Sequence, residues 1–174
     1  NAYEMFAQPR KAYILLGVEP ELDCHHPQQA VAALKGAALV VSLTSFSDGA
    51  ARDYVDVLLP IAPFTETSGS FVNTEGRLQS FNGVVRPLGD SRPACQVVRV
   101  VGNLLGLPGF DQDSSEQVRD EIVPAGEGFV DGLNNSINGV PLSLPAAVGF
   151  LQRVADVPIY FADPLARRAP ALQK

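Results

Sequence analysis

Glu66, Glu75 and Arg77 are the residues of this 174-residue chain best placed by type to do chemistry. Two carboxylates beside a guanidinium can act as a general acid–base pair with a basic clamp. The same three can instead form an internal salt bridge that fixes a crossover loop, and the low chemical specificity of Glu and Arg favours that simpler role. Glu21, Asp23, Cys24, His25 and His26 form the one cluster with metal-type ligands. Adjacent histidines diverge on a regular element, and histidine ligands ordinarily sit at i, i+4 or come from distant segments. A polar loop feeding the next helix accounts for this cluster without a metal. The turn Gly17-Val18-Glu19-Pro20 stands where α/β sheets bind ligands. It lacks a Gly-x-Gly-x-x-Gly fingerprint and a following phosphate-gripping lysine, so Gly17 reads first as a strand terminator. No Ser/His/Asp arrangement, nucleophile elbow or phosphate loop occurs. The expectation is therefore no catalytic, cofactor-binding or metal residue in this chain.

The elements that position these residues are legible from periodicity. Residues 13–17, 39–43 and 56–60 are short runs apolar on both faces, as expected for parallel strands covered by helices on each side. Residues 27–34 read as a helix opened by Pro27 and closed by Gly36, and 48–54 have room only for a short one. That alternation predicts a doubly wound α/β fold with a small, mainly parallel sheet and right-handed crossovers. From Phe71 to Val85 the chain turns into a β-excursion, with Asn82-Gly83 as the hairpin turn. Pro93 opens a helix whose Val97, Val100, Val101, Leu104 and Leu105 form one stripe expected to be buried, ending at Gly106. Ser114 is a candidate N-cap for a helix reaching Ile122.

Residues 124–145 are rich in Gly, Pro and Asn and read as a linker, with 146–174 an irregular C-terminal extension. Within that extension 146–154 suits a short helix, and 159–168 reads as an extended stretch ending in a small basic helix. The domain reading is thus 1–123, 124–145 and 146–174. Arg167-Arg168 is too short for a nucleic-acid patch and is expected to be solvated or at a protein interface.

Composition narrows the function classes. Thirteen basic against nineteen acidic residues give a net charge of −6, which repels phosphate backbones and anionic lipid heads. No nucleic acid and no direct membrane insertion are expected, since no apolar run approaches bilayer length. Cys24 and Cys95 lie far apart and outside any Cys-x-x-Cys spacing, and read as reduced thiols of a cytoplasmic protein. Asn134-Asn135-Ser136 matches a glycosylation acceptor, which carries no weight without an export signal. Asn1-Ala2 reads as a candidate cloning remnant on an excised piece, and such a piece is expected to expose apolar surface and either to self-associate or to carry a loosely ordered stretch between Pro124 and Pro145.

One longer pattern adds to this. Asp56-Val-Leu-Leu-Pro60, followed by Glu66-x-x-Gly69-x-Phe71-x-Asn73-x-Glu75-Gly76-Arg77-x-Gln79, resembles the molybdopterin oxidoreductase superfamily. Within it, Glu75-Gly76-Arg77 looks like the G subunits of bacterial proton-pumping NADH:quinone oxidoreductase (respiratory complex I), where formate dehydrogenase-like enzymes tend to carry two arginines. Gly17-Val-Glu19-Pro20-Glu21 and the stretch from Tyr160 to Gln173 also resemble the late part of those subunits. Val55 and Ser70 depart mildly from the superfamily pattern. Glu19 replaces the neutral asparagine of true molybdenum enzymes. The resemblance implies a structural and interface segment without redox centre. Its iron–sulfur clusters would lie in an N-terminal region, and its partners would be the rest of the G subunit and other peripheral-arm subunits. It also implies a place on the cytoplasmic side of the inner membrane. The rival expectation is a cofactor-gripping segment of an active molybdopterin oxidoreductase.

Overall fold

Alternating helix starts and apolar runs build the first 60 residues of the chain. A computed structural model describes residues 1–123 and 159–173, and the chain divides into two compact units, Asn1–Asn134 and Asn135–Lys174. The first unit opens with α1 (Ala2–Ala7), β1 (Ala12–Leu16), α2 (Pro20–Asp23), α3 (Pro27–Lys35), β2 (Leu39–Thr44) and β3 (Val57–Pro60). Asn1 caps α1 reciprocally: the Glu4 N–H donates to Asn1 Oδ1 at 3.0 Å, and the Asn1 ammonium donates to Glu4 Oε2 at 2.8 Å. The three strands are parallel in the order β1-β2-β3, with Ile14 beside Val41 and Val41 beside Val57. The small, mainly parallel α/β sheet expected from the alternation is present.

Among the described residues one face of that sheet is packed against a helix along its length. Tyr13, Leu15 and Val40 pack against Ala33 and Leu34 of α3 and against Tyr54, with Phe6 of α1 at the margin. Leu34 is 1% exposed and anchors the cluster. Strands stepping in one direction through right-handed crossovers place both connections on the same side. That side holds α3 and the 3-10 turn Ala50–Asp53, whose Ala51 joins the cluster. On the opposite face Ile14 is 66%, Leu16 51% and Val57 41% exposed, while Leu43 between Leu16 and Leu59 is buried.

Residues 69–123 form β4 (Gly69–Val72), β5 (Leu78–Phe81), α4 (Ala94–Leu104) and α5 (Ser115–Ile122). Ser114 caps α5 by accepting from the Gln117 N–H at 3.2 Å, as its residue type predicts. The α4 stripe departs from expectation. Gly102 is the buried residue of that helix, seated against the Phe110 ring, while Leu104 is 83% exposed. Val97, Val101 and Leu104 line an open groove of about 660 Å³ with Leu59 and Pro60 instead of a closed core. Periodicity marks which helix face is apolar but cannot say that something covers it. Among the described residues no helix is long and apolar enough to cross a membrane.

In the second unit, 3-10 turns lie at Ile159–Phe161, Ala166–Arg168 and Pro170–Leu172; the second matches the small basic helix expected there, while the first replaces the expected extended stretch. Asp163 Oδ1 accepts from the N–H groups of Leu165 and Ala166 at 2.9 and 2.8 Å, which curls the chain. Arg167 is 9% exposed, so of the two expected settings, solvent or a protein interface, solvent does not hold for it. Its guanidinium donates to the Asp163 and Ala162 carbonyls and lies 5.7 Å from the Phe161 ring centroid. A planar guanidinium over an aromatic face is a favourable contact. The linker 124–145, the helix expected over 146–154 and the Asn134-Asn135-Ser136 match lie outside the described residues.

Candidate functional site

The polar residues from Glu66 to Gln79 shape backbone. β4 and β5 pair antiparallel, with Gly69 opposite Phe81 and Phe71 opposite Gln79. A Cβ on Gly69 would stand 2.8 Å from the Phe81 ring, so glycine leaves the space that the ring fills. Phe71 and Phe81 then stack with centroids 5.1 Å apart. The turn between the strands is written by Asn73 and Gly76. Asn73 Oδ1 accepts from the N–H groups of Glu75 and Arg77 at 3.0 and 2.8 Å. Gly76 sits at φ +79°, a conformation that side chains rarely adopt.

Glu75 and Arg77 flank this glycine with exposed side chains, and no ion pair joins them to each other or to Glu66 among the described residues. The internal salt bridge expected from these residue types is therefore corrected. The expected turn at Asn82-Gly83 is also displaced, because the hairpin already turns at 73–77. Asn73→Ala is expected to lower hairpin stability by about 1 kcal/mol, since two hydrogen bonds lose their acceptor. Faster hydrogen exchange at the Glu75 and Arg77 amides would register it, and Asn73→Asp should restore protection.

Glu66 does something different from acid–base work. Its Oε2 accepts from the Leu88 N–H at 2.9 Å, tying the 3-10 turn Phe64–Glu66 to a loop 22 residues on. The Val84 N–H donates to the Thr65 carbonyl at 2.8 Å, and Gly83 lies against the backbone of Glu66 and Thr67. Thr65 and Glu66 thus hold the 83–88 loop in place. Nothing in the sequence signalled the Leu88 partner, because a backbone N–H has no residue-type signature.

The turn after β1 holds carboxylates and few free donors. Gly17 is at φ +60° and donates its N–H to the Leu43 carbonyl at 2.9 Å. The Glu19 N–H donates to Asp23 Oδ2 at 2.7 Å, and the Asp23 N–H to the Glu19 carbonyl at 2.8 Å. The expected polar loop over 21–26 is partly helical, as α2. Tyr54, buried in the core, donates its hydroxyl to Glu21 Oε2 at 2.6 Å. Burial, then the Glu21 hydrogen bond and the nearby Glu21 and Glu19 charges, hold the Tyr54 phenol far above its ordinary range. Burial and the neighbouring Asp23 and Glu21 likewise push the Cys24 thiol up, making it a poor thiolate ligand near neutrality. The His25 and His26 rings sit 4.5 Å apart with Tyr3 beside His26. No group of three His, Cys, Asp or Glu residues suits a metal ion among the described residues.

Tyr54 carries a pH prediction. Below about pH 10 the phenol is protonated in folded and unfolded chains alike. Above it the unfolded chain releases a proton that the folded chain retains, so stability falls as pH rises. Denaturant midpoints for Tyr54→Phe should lose part of that alkaline decline, at the cost of roughly 1 kcal/mol near neutrality.

Comparison with known proteins sets these features in a family. The sequence profile described as molybdopterin oxidoreductase matches residues 1–104. A putative formate dehydrogenase of Staphylococcus haemolyticus (strain JCSC1435) is 37% identical over 87 residues, covering 50% of this chain and 8% of that protein. A putative formate dehydrogenase of Staphylococcus aureus (strain USA300) is 39% identical over 69 residues, covering 40% of this chain and 7% of that protein. The chain thus spans less than a tenth of the length of these curated relatives.

Proposed function

Because the chain belongs to the molybdopterin oxidoreductase family, we propose that it serves as a scaffold segment of a larger oxidoreductase polypeptide and carries none of the reacting groups. The observation that supports this reading is where the polar motif residues are spent. Asn73 holds a turn and Glu66 a loop, each through backbone N–H groups.

The family's pterin cofactor is anionic, and the Gly17–Asp23 turn does not fit it. Glu19, Glu21 and Asp23 crowd that turn, and the N–H groups of Gly17, Glu19 and Asp23 already have acceptors. An anionic dinucleotide would meet like charge there. The names of the relatives support a formate dehydrogenase-like parent; in our reading other segments of that parent grip the cofactor.

A second reading rests on this acidic turn together with Glu75-Gly76-Arg77. Both favour the G subunit of NADH:quinone oxidoreductase, a parent with no pterin to accommodate. The partners would then be the remainder of that subunit and other peripheral-arm subunits, on the cytoplasmic side of the inner membrane.

The polypeptide translated from the native gene distinguishes the two. Stoichiometric molybdenum with formate-dependent dye reduction would support the first parent. Iron without molybdenum, co-purifying with NADH:quinone activity, would support the second. Loss of molybdenum or iron on Asn73→Ala, with the fold intact, would count against a purely structural role.

A further inference from the structure

Asn82 and Gly83 have no part in the hairpin turn, which the chain makes at 73–77. They follow β5 directly, lie in neither strand nor helix, and are exposed. Among the described residues neither the Asn82 carboxamide nor the Gly83 N–H makes a hydrogen bond. The three other asparagines among the described residues are engaged. Asn1 Oδ1 accepts from the Glu4 N–H and Asn73 Oδ1 from the Glu75 and Arg77 N–H groups, while the Asn103 carboxamide donates to the Phe110 carbonyl at 3.0 Å. Ala2, Thr74 and Leu104 follow them, each with a Cβ beside the next backbone nitrogen.

The nitrogen after an asparagine is a nucleophile held beside the side-chain carbonyl, and such proximity removes much of a reaction barrier. Glycine gives that nitrogen the least hindered approach and the freest backbone. We propose that Asn82 is a site of spontaneous modification, converting through a cyclic imide to aspartate and isoaspartate, and that the isoaspartyl form releases the 83–88 loop.

The chemistry needs only water. The Gly83 nitrogen loses its proton and bonds to Asn82 Cγ; the Cγ–Nδ2 bond breaks, and the departing nitrogen takes up a proton and leaves as ammonia. Water then opens the ring. Cleavage of the new Cγ–N bond gives aspartate. Cleavage of the original peptide C–N bond gives isoaspartate, whose main chain runs through Cβ and Cγ and is one methylene longer. Either product adds one negative charge to a chain already at −6.

The longer main chain meets a close contact. A Cβ at Gly83 would stand 2.9 Å from backbone atoms of Glu66 and Thr67, so this segment has no slack toward the 64–67 turn. The next amide, of Val84, is bonded to the Thr65 carbonyl at 2.8 Å, and the Leu88 N–H to Glu66 Oε2 at 2.9 Å. A methylene inserted just before Gly83 displaces both bonds. Plain aspartate keeps the backbone length and leaves them in place.

Incubation of the folded 174-residue chain in mildly alkaline buffer, followed by peptide mapping, tests this. Conversion at Asn82 is expected to run at least about tenfold faster than at Asn73 or Asn103, whose side chains are held by other partners. The rate should lie within about threefold of that in the urea-unfolded chain, because an exposed loop needs little opening. Asn138-Gly139 shares the dipeptide and is scored from its own peptide. Equal rates at Asn82 and Asn73, or a folded-state rate at Asn82 about tenfold or more below the unfolded one, would overturn the site. Asn82→Gln should abolish the product. Hydrogen exchange at the Val84 and Leu88 amides should rise in the isoaspartyl fraction and stay unchanged in Asn82→Asp. No rise in either, or the same rise in both, would overturn loop release by backbone lengthening.

Discussion

Gly83→Ala should detach the loop that Thr65 and Glu66 hold. An alanine Cβ there would stand 2.9 Å from the Glu66 carbonyl carbon and 2.9 Å from the Thr67 nitrogen. Those are backbone atoms, so no side-chain rotation relieves the contact. The loop must move, and with it go the Val84–Thr65 and Leu88–Glu66 hydrogen bonds. A cost of about 2–3 kcal/mol is expected from the overpacking and the lost bonds together. Hydrogen exchange at the Val84 and Leu88 amides should accelerate well beyond any change in the β1–β3 sheet. Unchanged protection there would refute the close-packing account.

Glu66→Gln provides the chemical counterpart, because the amide oxygen still accepts from Leu88 while the charge is gone. Turnover of the native enzyme should stay largely intact. A general acid at this position would instead lose about a hundredfold or more.

Leu34→Ala carries the largest expected stability loss in the parallel-sheet half. Leu34 is buried with Tyr13, Leu15, Val40 and Tyr54 in the cluster where α3 meets the sheet. Truncation removes its transfer free energy and leaves a cavity that relaxes only in part, at about 3 kcal/mol. Denaturant unfolding should show a lowered midpoint with an unchanged slope. Leu34→Met, which keeps the volume, should cost less than about 1.5 kcal/mol.

The sequence by itself determined the local features. Apolar runs, Pro27 and Gly36, Gly106, and Ser114 placed the strands and helix ends, because periodicity and caps act over a few residues. The run from Asp56 to Gln79 was enough to identify the family, and its glycines follow from backbone geometry within the same segment.

Only the tertiary structure decided the rest. Glu66 bonds a backbone N–H 22 residues away, and Arg167 is buried over Phe161, where residue type suggested a salt bridge and a charge in solvent or at an interface. The hairpin turns at Asn73–Gly76, because the Asn73 side chain and strand register outweighed the Asn82-Gly83 signal. The two apolar faces of each strand also looked alike in sequence. Which of them packs against a helix along its length depends on the hand and direction of the crossovers, and that is a property of the assembled sheet.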